Sequence, residues 1–69
     1  MKIRAYGKTE LALLYYPTLS ESAARRNFMH ELMANRQLWA TLRRQGVKRH
    51  SRMFHPRAVR TIVRFLGEA

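Results

Sequence analysis

The chain has no cysteine and no aspartate, and its only carboxylate side chains are Glu10, Glu21, Glu31 and Glu68. Without thiols there are no disulfides, no thiolate metal ligands and no thiol nucleophile. Glu10 and Glu21 suit helix starts, Glu68 lies among the last residues, and no two are spaced for general acid–base work. A zinc site would have to draw on His30, His50 and His55 together with one glutamate, an improbable set. The three glycines are isolated, so no phosphate-cradling loop is present. The longest apolar run, Leu11 to Tyr16, is six residues, far short of the roughly 18 that a membrane span needs. Lys2 and Arg4 precede that run, but it is too short for a signal-peptide core and no small-residue cleavage site follows. These absences point away from an enzyme, a cofactor, a small-molecule substrate and a membrane. A soluble cytoplasmic binding protein is the expectation.

What the chain has in excess is positive charge. Its 69 residues suit a single domain, 1–69, and carry fourteen Lys and Arg for a net charge of +10. A chain this short buries only about 60% of its unfolded surface, so the core must be small. Residues 1–35 hold five basic and three acidic side chains, whereas residues 36–69 hold nine and one. Eleven of the fourteen are arginine. The planar guanidinium fork matches phosphate oxygens in pairs, which a lysine ammonium cannot do. At 46% hydrophobic and 10% aromatic residues, the chain is too apolar to be a disordered basic tail. A folded domain whose partner is a polyanion follows.

Periodicity and capping signals divide the chain into four helices. Lys2 to Tyr6 alternates polar and apolar residues, as a short strand or extended arm would, and Gly7 breaks it. Thr9 is expected to cap a first helix, with Glu10 in its first turn and Leu11, Leu14 and Tyr15 on the inner face. Pro17 ends it. Ser20 caps a second helix with Ala24, Phe28 and Leu32 as the buried stripe and Ser22, Arg26, His30 and Met33 on the opposite face. Asn35 caps a third, running to Gln45, that buries Leu38 and Leu42 with Trp39 at the edge, and Gly46 stops it. Val47 to Phe54 reads as a strand or loop. Pro56 opens the last helix, in which Ala58, Val59, Ile62, Phe65 and Leu66 face inward before Gly67. The expected fold is mostly α: a small four-helix domain of helix-turn-helix or winged-helix type. Short extended segments are expected at its N-terminus and before the last helix.

Three segments carry candidate binding chemistry. The first helix, the break at Tyr16 to Leu19 and the capped second helix have the order of a helix-turn-helix, with Ala12 small enough for close packing. The second helix would then offer Ser22, Arg26 and His30 to a major groove, with Arg25 and Asn27 at the flanks. The competing reading is an ordinary helical hairpin, since the turn lacks its usual glycine. The basic segment Gly46 to Phe54 could serve as a wing, with Lys48, Arg49 and Arg52 on phosphates. On the last helix Arg57, Arg60 and Arg64 line one face with no acidic residue among them to pair with. Together with Arg36, Arg43 and Arg44 on the third helix, these form the pool of expected phosphate contacts. The aromatic residues are expected mainly in the core, with Tyr6 and Tyr16 as candidates for stacking on single strands.

The opening Lys2-Ile3-Arg4-Ala5-Tyr6-Gly7-Lys8-Thr9-Glu10-Leu11-Ala12 with Tyr16-Pro17, and the closing Ser51-Arg52-Met53-Phe54, Pro56, Val59, Ile62-Val63 and Leu66-Gly67, resemble a family of short gut-bacterial proteins. That family is defined only by a domain of unknown function. The resemblance spans nearly the whole chain. It implies a fold like that of DNA-associated helix-turn-helix proteins, and it carries no activity and no site residues. One departure is His55, where a threonine is expected as the cap of the last helix.

The sequence therefore predicts a nucleic-acid-binding protein, with duplex DNA favoured over RNA, acting as a transcriptional regulator or architectural factor. An adaptor for an acidic protein is the alternative. A single module of this kind covers only about 600–1,000 Å² of DNA, so a homodimer or a partner protein would enlarge the contact.

Overall fold

The computed structural model describes residues 1–69, folded as six elements. In chain order they are β1 (Tyr6–Gly7), α1 (Lys8–Tyr15), α2 (Glu21–Ala34), α3 (Arg36–Arg44), β2 (Met53–Phe54) and α4 (Pro56–Leu66). The domain is mostly helical, with four helices and one small antiparallel sheet. Its radius of gyration is 10.7 Å, close to the roughly 11 Å of a compact chain of this length.

Local chemistry explains most of the boundaries. The Ser20 hydroxyl accepts from the Ala23 N–H at 3.3 Å, and the Asn35 side chain accepts from the Leu38 N–H at 3.0 Å. Both are the caps expected from the sequence. Asn35 also ends α2, so one residue closes one helix and opens the next. Gly46 and Gly67 follow α3 and α4 with φ of +93° and +83°, a region open to glycine at little steric cost.

Two expectations about helix ends need correction. Gly7, not Thr9, is the N-cap of α1, and Glu10 reaches back to accept from the Gly7 N–H at 3.2 Å. Gly7 must also pair with β2, which fixes the extended backbone there and starts the helix two residues early. His55, in the place where a threonine is expected, is a working cap. Its Nδ1 accepts from the Ala58 N–H at 3.2 Å and its Nε2 donates to the Gln45 carbonyl at 3.0 Å. Imidazole supplies the acceptor a threonine hydroxyl would supply, and a second bond besides.

The core forms where all six elements meet. Phe28 of α2 lies at its centre, stacked on Tyr15 of α1 at 5.4 Å and edge-on to Phe54 of β2 at 6.0 Å. Leu11, Leu32, Leu38, Leu42, Val59 and Ile62 are fully buried around it. Helix α2 packs against both α1 and α3, and α3 packs against α4. Its buried arc is therefore wider than the Ala24–Phe28–Leu32 stripe, taking in Met29 fully and Met33, expected outside, in part. On α1 the inner face is Leu11, Ala12 and Tyr15, whereas Leu14 is 42% exposed. Burying Ala12 turns Leu14 about 110° from the packed direction at 100° per residue.

The extended N-terminal arm and the segment before α4 join each other. Tyr6 pairs with Phe54 and Gly7 with Met53, antiparallel, and the Lys8 N–H donates to the Arg52 carbonyl at 2.7 Å. The basic connection between α3 and α4 is thus not a hairpin of its own. It is pinned against the start of α1. At its other end the Gln45 amide donates to Thr61 Oγ1 at 2.9 Å, and Thr61 donates to the Arg57 carbonyl at 3.1 Å. No helix is long and apolar enough to cross a membrane.

Candidate nucleic-acid interface

The positive charge is almost wholly unpaired. Among the fourteen Lys and Arg side chains, Arg4 alone forms an ion pair, with Glu10 at 2.9 Å. The other ion pair in the chain joins the terminal ammonium of Met1 to Glu68. Arg36, Arg43 and Arg44 are exposed on α3, and Arg57, Arg60 and Arg64 are exposed on α4. Arg43 lies 5.9 Å from the centre of the Trp39 ring, and Arg44 donates to Thr41 Oγ1 at 3.3 Å. None of these six arginines lines the cleft described below.

The residues expected to enter a groove divide into two groups. Ser22, Arg26 and His30 are exposed on α2 at i, i+4 and i+8, with side chains that make no hydrogen bond or ion pair. Asn27 is exposed beside them, but its amide donates to the Ala23 carbonyl of its own helix at 2.8 Å. Arg25 faces another way. It is half-buried, and its guanidinium donates to the Thr9 hydroxyl at 3.0 Å. Thr9, freed from capping, thereby acts as the anchor for an arginine from α2.

That contact forms one wall of a cleft of about 560 Å³ lined by Gly7, Lys8, Thr9, Glu10, Arg25, His50 and Arg52. Three cations from three parts of the chain meet there: Lys8 at the start of α1, Arg25 on α2, and Arg52 in the connection before β2. No apolar side chain lines it. Lys8 is anchored further by donation from Nζ to the Arg49 carbonyl at 3.2 Å. Partial burial, and then the like charges of Arg25 and Arg52, hold the Lys8 ammonium below its ordinary pKa of 10.5. The cleft's one carboxylate is already engaged. Glu10 takes the Arg4 guanidinium and the Gly7 N–H, which hold its carboxyl below the usual range. Arg4 itself stacks on the Tyr6 ring at 3.8 Å.

The structure thus brings together Arg25 from the expected recognition helix and Arg52 from the expected wing. Lys48 and Arg49 are exposed in the same connection, where Lys48 and Ser51 bond each other: the Lys48 N–H to Ser51 Oγ at 2.8 Å, the Ser51 N–H to the Lys48 carbonyl at 3.0 Å. Sequence reasoning missed Lys8, Thr9 and His50. No periodic signal marks them, because only the β1–β2 pairing and the α1–α2 packing carry them to Arg25 and Arg52. The two tyrosines considered for stacking are not free platforms. Tyr6 is buried, and its hydroxyl donates to the Lys2 carbonyl at 2.8 Å, while Tyr16 is half-buried and donates to Glu31. No three His or Glu side chains gather as a metal site would need.

A small basic helical domain with a cationic polar cleft is the class these features define. Residues 2–68 match the model of a family described as Domain of unknown function (DUF4248), and the chain belongs to that family. No curated protein and no solved structure matches it.

Proposed function

We propose that the protein binds duplex DNA, as a small regulator or architectural factor without catalytic activity. One observation carries the reading: Lys8, Arg25, His50 and Arg52 converge on a single polar cleft on the α1 and connection side of α2. A wall with no apolar side chain and one small ring, the His50 imidazole, suits a sugar–phosphate backbone and lacks the row of aromatic platforms on which successive unpaired bases stack. That favours a duplex over a single strand. Lys48 and Arg49 extend the grip along the connection. The exposed Ser22, Arg26 and His30 of α2 are the groups with free donors for base edges, and the short turn between α1 and α2 is consistent with a helix-turn-helix arrangement.

The division of labour follows the chemistry. Phosphate contacts fix position without reading sequence, and this chain has many more groups for holding than for reading. If Lys8, Arg25, Lys48, Arg49 and Arg52 each meet a phosphate, log K falls against log salt with a slope of about −4.5. Competition between duplex DNA and structured RNA at one fixed salt tests the choice of partner. Preference for the duplex supports the reading. Preference for RNA overturns it, and binding of neither would direct attention to an acidic protein partner.

A further inference from the structure

We infer that the cleft between the start of α1, helix α2 and the α3–β2 connection is a seat for one phosphate monoester dianion. The inference extends the DNA reading to the end of a strand, but affinity for the phosphate group itself does not depend on that reading. Three features of the cleft carry it.

The first is charge. Lys8, Arg25 and Arg52 supply three cations around one concavity, and the only carboxylate in its wall is matched by Arg4 from outside it. A backbone phosphodiester carries a single negative charge, whereas a terminal phosphate carries up to two near neutral pH. A cluster of three cations is better compensated by the dianion. Partial burial first, and then the like charges of Arg25 and Arg52, lower the Lys8 pKa, and an anion among the three cations offsets the second of these effects.

The second is preorganisation. The three cations do not hang from free side chains alone. Arg25 is fixed by Thr9 at 3.0 Å, Lys8 by the Arg49 carbonyl at 3.2 Å, and the main chains of Lys8 and Arg52 by each other at 2.7 Å. The Arg25 and Lys8 side chains are thus ordered before a ligand arrives, which reduces the entropy lost on binding.

The third is the character of the walls. The Lys8, Arg25 and Arg52 side chains offer donors only, and the Thr9 and Glu10 side-chain oxygens already accept from Arg25 and from Arg4 and Gly7. A volume of about 560 Å³ exceeds one phosphate. The remaining space, walled by Thr9, His50 and main chain, suits a hydroxylated body such as a sugar and has no apolar surface for an acyl chain. The same chemistry would come from a small sugar phosphate or from the 5′-phosphate end of a nucleic acid strand.

Titration of the full chain with inorganic phosphate, followed by amide NMR at ionic strength held constant with chloride, tests the seat. The expected result is saturable shifts confined to Lys8, Thr9, Arg25, His50, Arg52 and their neighbours. Arg52→Gln and Lys8→Gln should each weaken binding about tenfold, the effect of losing one charge-assisted hydrogen bond. Arg64→Gln should leave it unchanged. The Arg52 side chain makes no hydrogen bond or ion pair in the fold, and native amide dispersion in its variant confirms that the loss is local. A 5′-phosphorylated duplex is then compared with its 5′-hydroxyl counterpart. A preference for the phosphorylated end that vanishes in Arg52→Gln supports the seat with a strand end as the source. Equal affinity for the two duplexes, with saturable phosphate binding retained, supports it with a small phosphate ester instead. Non-saturating shifts, or shifts spread equally over Arg57, Arg60 and Arg64, overturn the seat. Salt-dependent binding of the 5′-hydroxyl duplex in that case leaves the DNA reading standing, so the two failures are separable.

Discussion

The Lys8 N–H donates to the Arg52 carbonyl at 2.7 Å, fixing two cations from distant parts of the sequence on one rim. Like charges do not gather unaided. The hydrogen bond belongs to the continuation of the β1–β2 pairing, which is stabilised by burial of Tyr6, Phe54 and Phe28 beneath it. The core thus holds together an arrangement that electrostatics alone would disperse, and an approaching anion would relieve it.

The titration of Lys8 reports that relation directly. Its pKa lies below 10.5, first because it is partly buried and then because Arg25 and Arg52 repel its charge. For a base with a lowered folded pKa, the charged form costs stability while Lys8 is protonated in both states. That cost disappears as the pH rises from the folded pKa through 10.5. Arg52→Gln should move the Lys8 titration part of the way back towards 10.5, and added phosphate should move it the same way. Side-chain NMR of the lysine ε-methylene measures both. A Lys8 pKa indifferent to both changes would separate the lysine from the cleft.

Tyr16 provides a second pH signature, remote from the cleft. Its hydroxyl donates to Glu31, which pushes the phenol pKa up from 10.0 to about 12. An acid with a raised folded pKa contributes stability that is fully present below 10.0 and is lost as the pH climbs through about 12. Denaturant melts of the wild type should therefore weaken over that window relative to Tyr16→Phe, in which the hydrogen bond is already absent. Parallel curves for the two proteins would remove the Tyr16–Glu31 bond from the account.

His55 joins the end of α3 to the start of α4 through two hydrogen bonds from one ring. His55→Ala leaves the Ala58 N–H without its cap and should cost about 1–2 kcal/mol. His55→Thr restores an acceptor for Ala58 but cannot reach Gln45 in the same way, so it should recover only part of that loss. Thermal or urea denaturation of the three proteins ranks them. If threonine proves no better than alanine, the cap contributes nothing measurable.

The helices were legible because their signals are local. Ser20, Asn35, Pro56 and the two positive-φ glycines each act within four residues, and the sequence places them unambiguously. The core stripes of α2, α3 and α4 follow from periodicity for the same reason. Leu14 and Met33 were misplaced because the direction a helix buries depends on its neighbours: α1 turns to bury Ala12, and α2 lies between two helices. Thr9 was misread as a cap because its partner, Arg25, is a turn-separated residue on another helix. The cleft was illegible for a stronger version of that reason. Arg25 and Arg52 are conspicuous as charges, but only the pairing of Tyr6 with Phe54 places Lys8 and Arg52 on one rim. No single segment contains that information.

The claim on which the account turns is that the converging cations, and not the total charge, hold the polyanion. Measuring duplex DNA affinity against salt for the wild type, Arg52→Gln and Arg64→Gln tests it most directly. The account predicts a wild-type slope of about −4.5, a slope smaller in magnitude by about 1 with weaker binding for Arg52→Gln, and little change for Arg64→Gln. Affinity independent of salt, or an Arg64→Gln loss as large as that of Arg52→Gln, would contradict it.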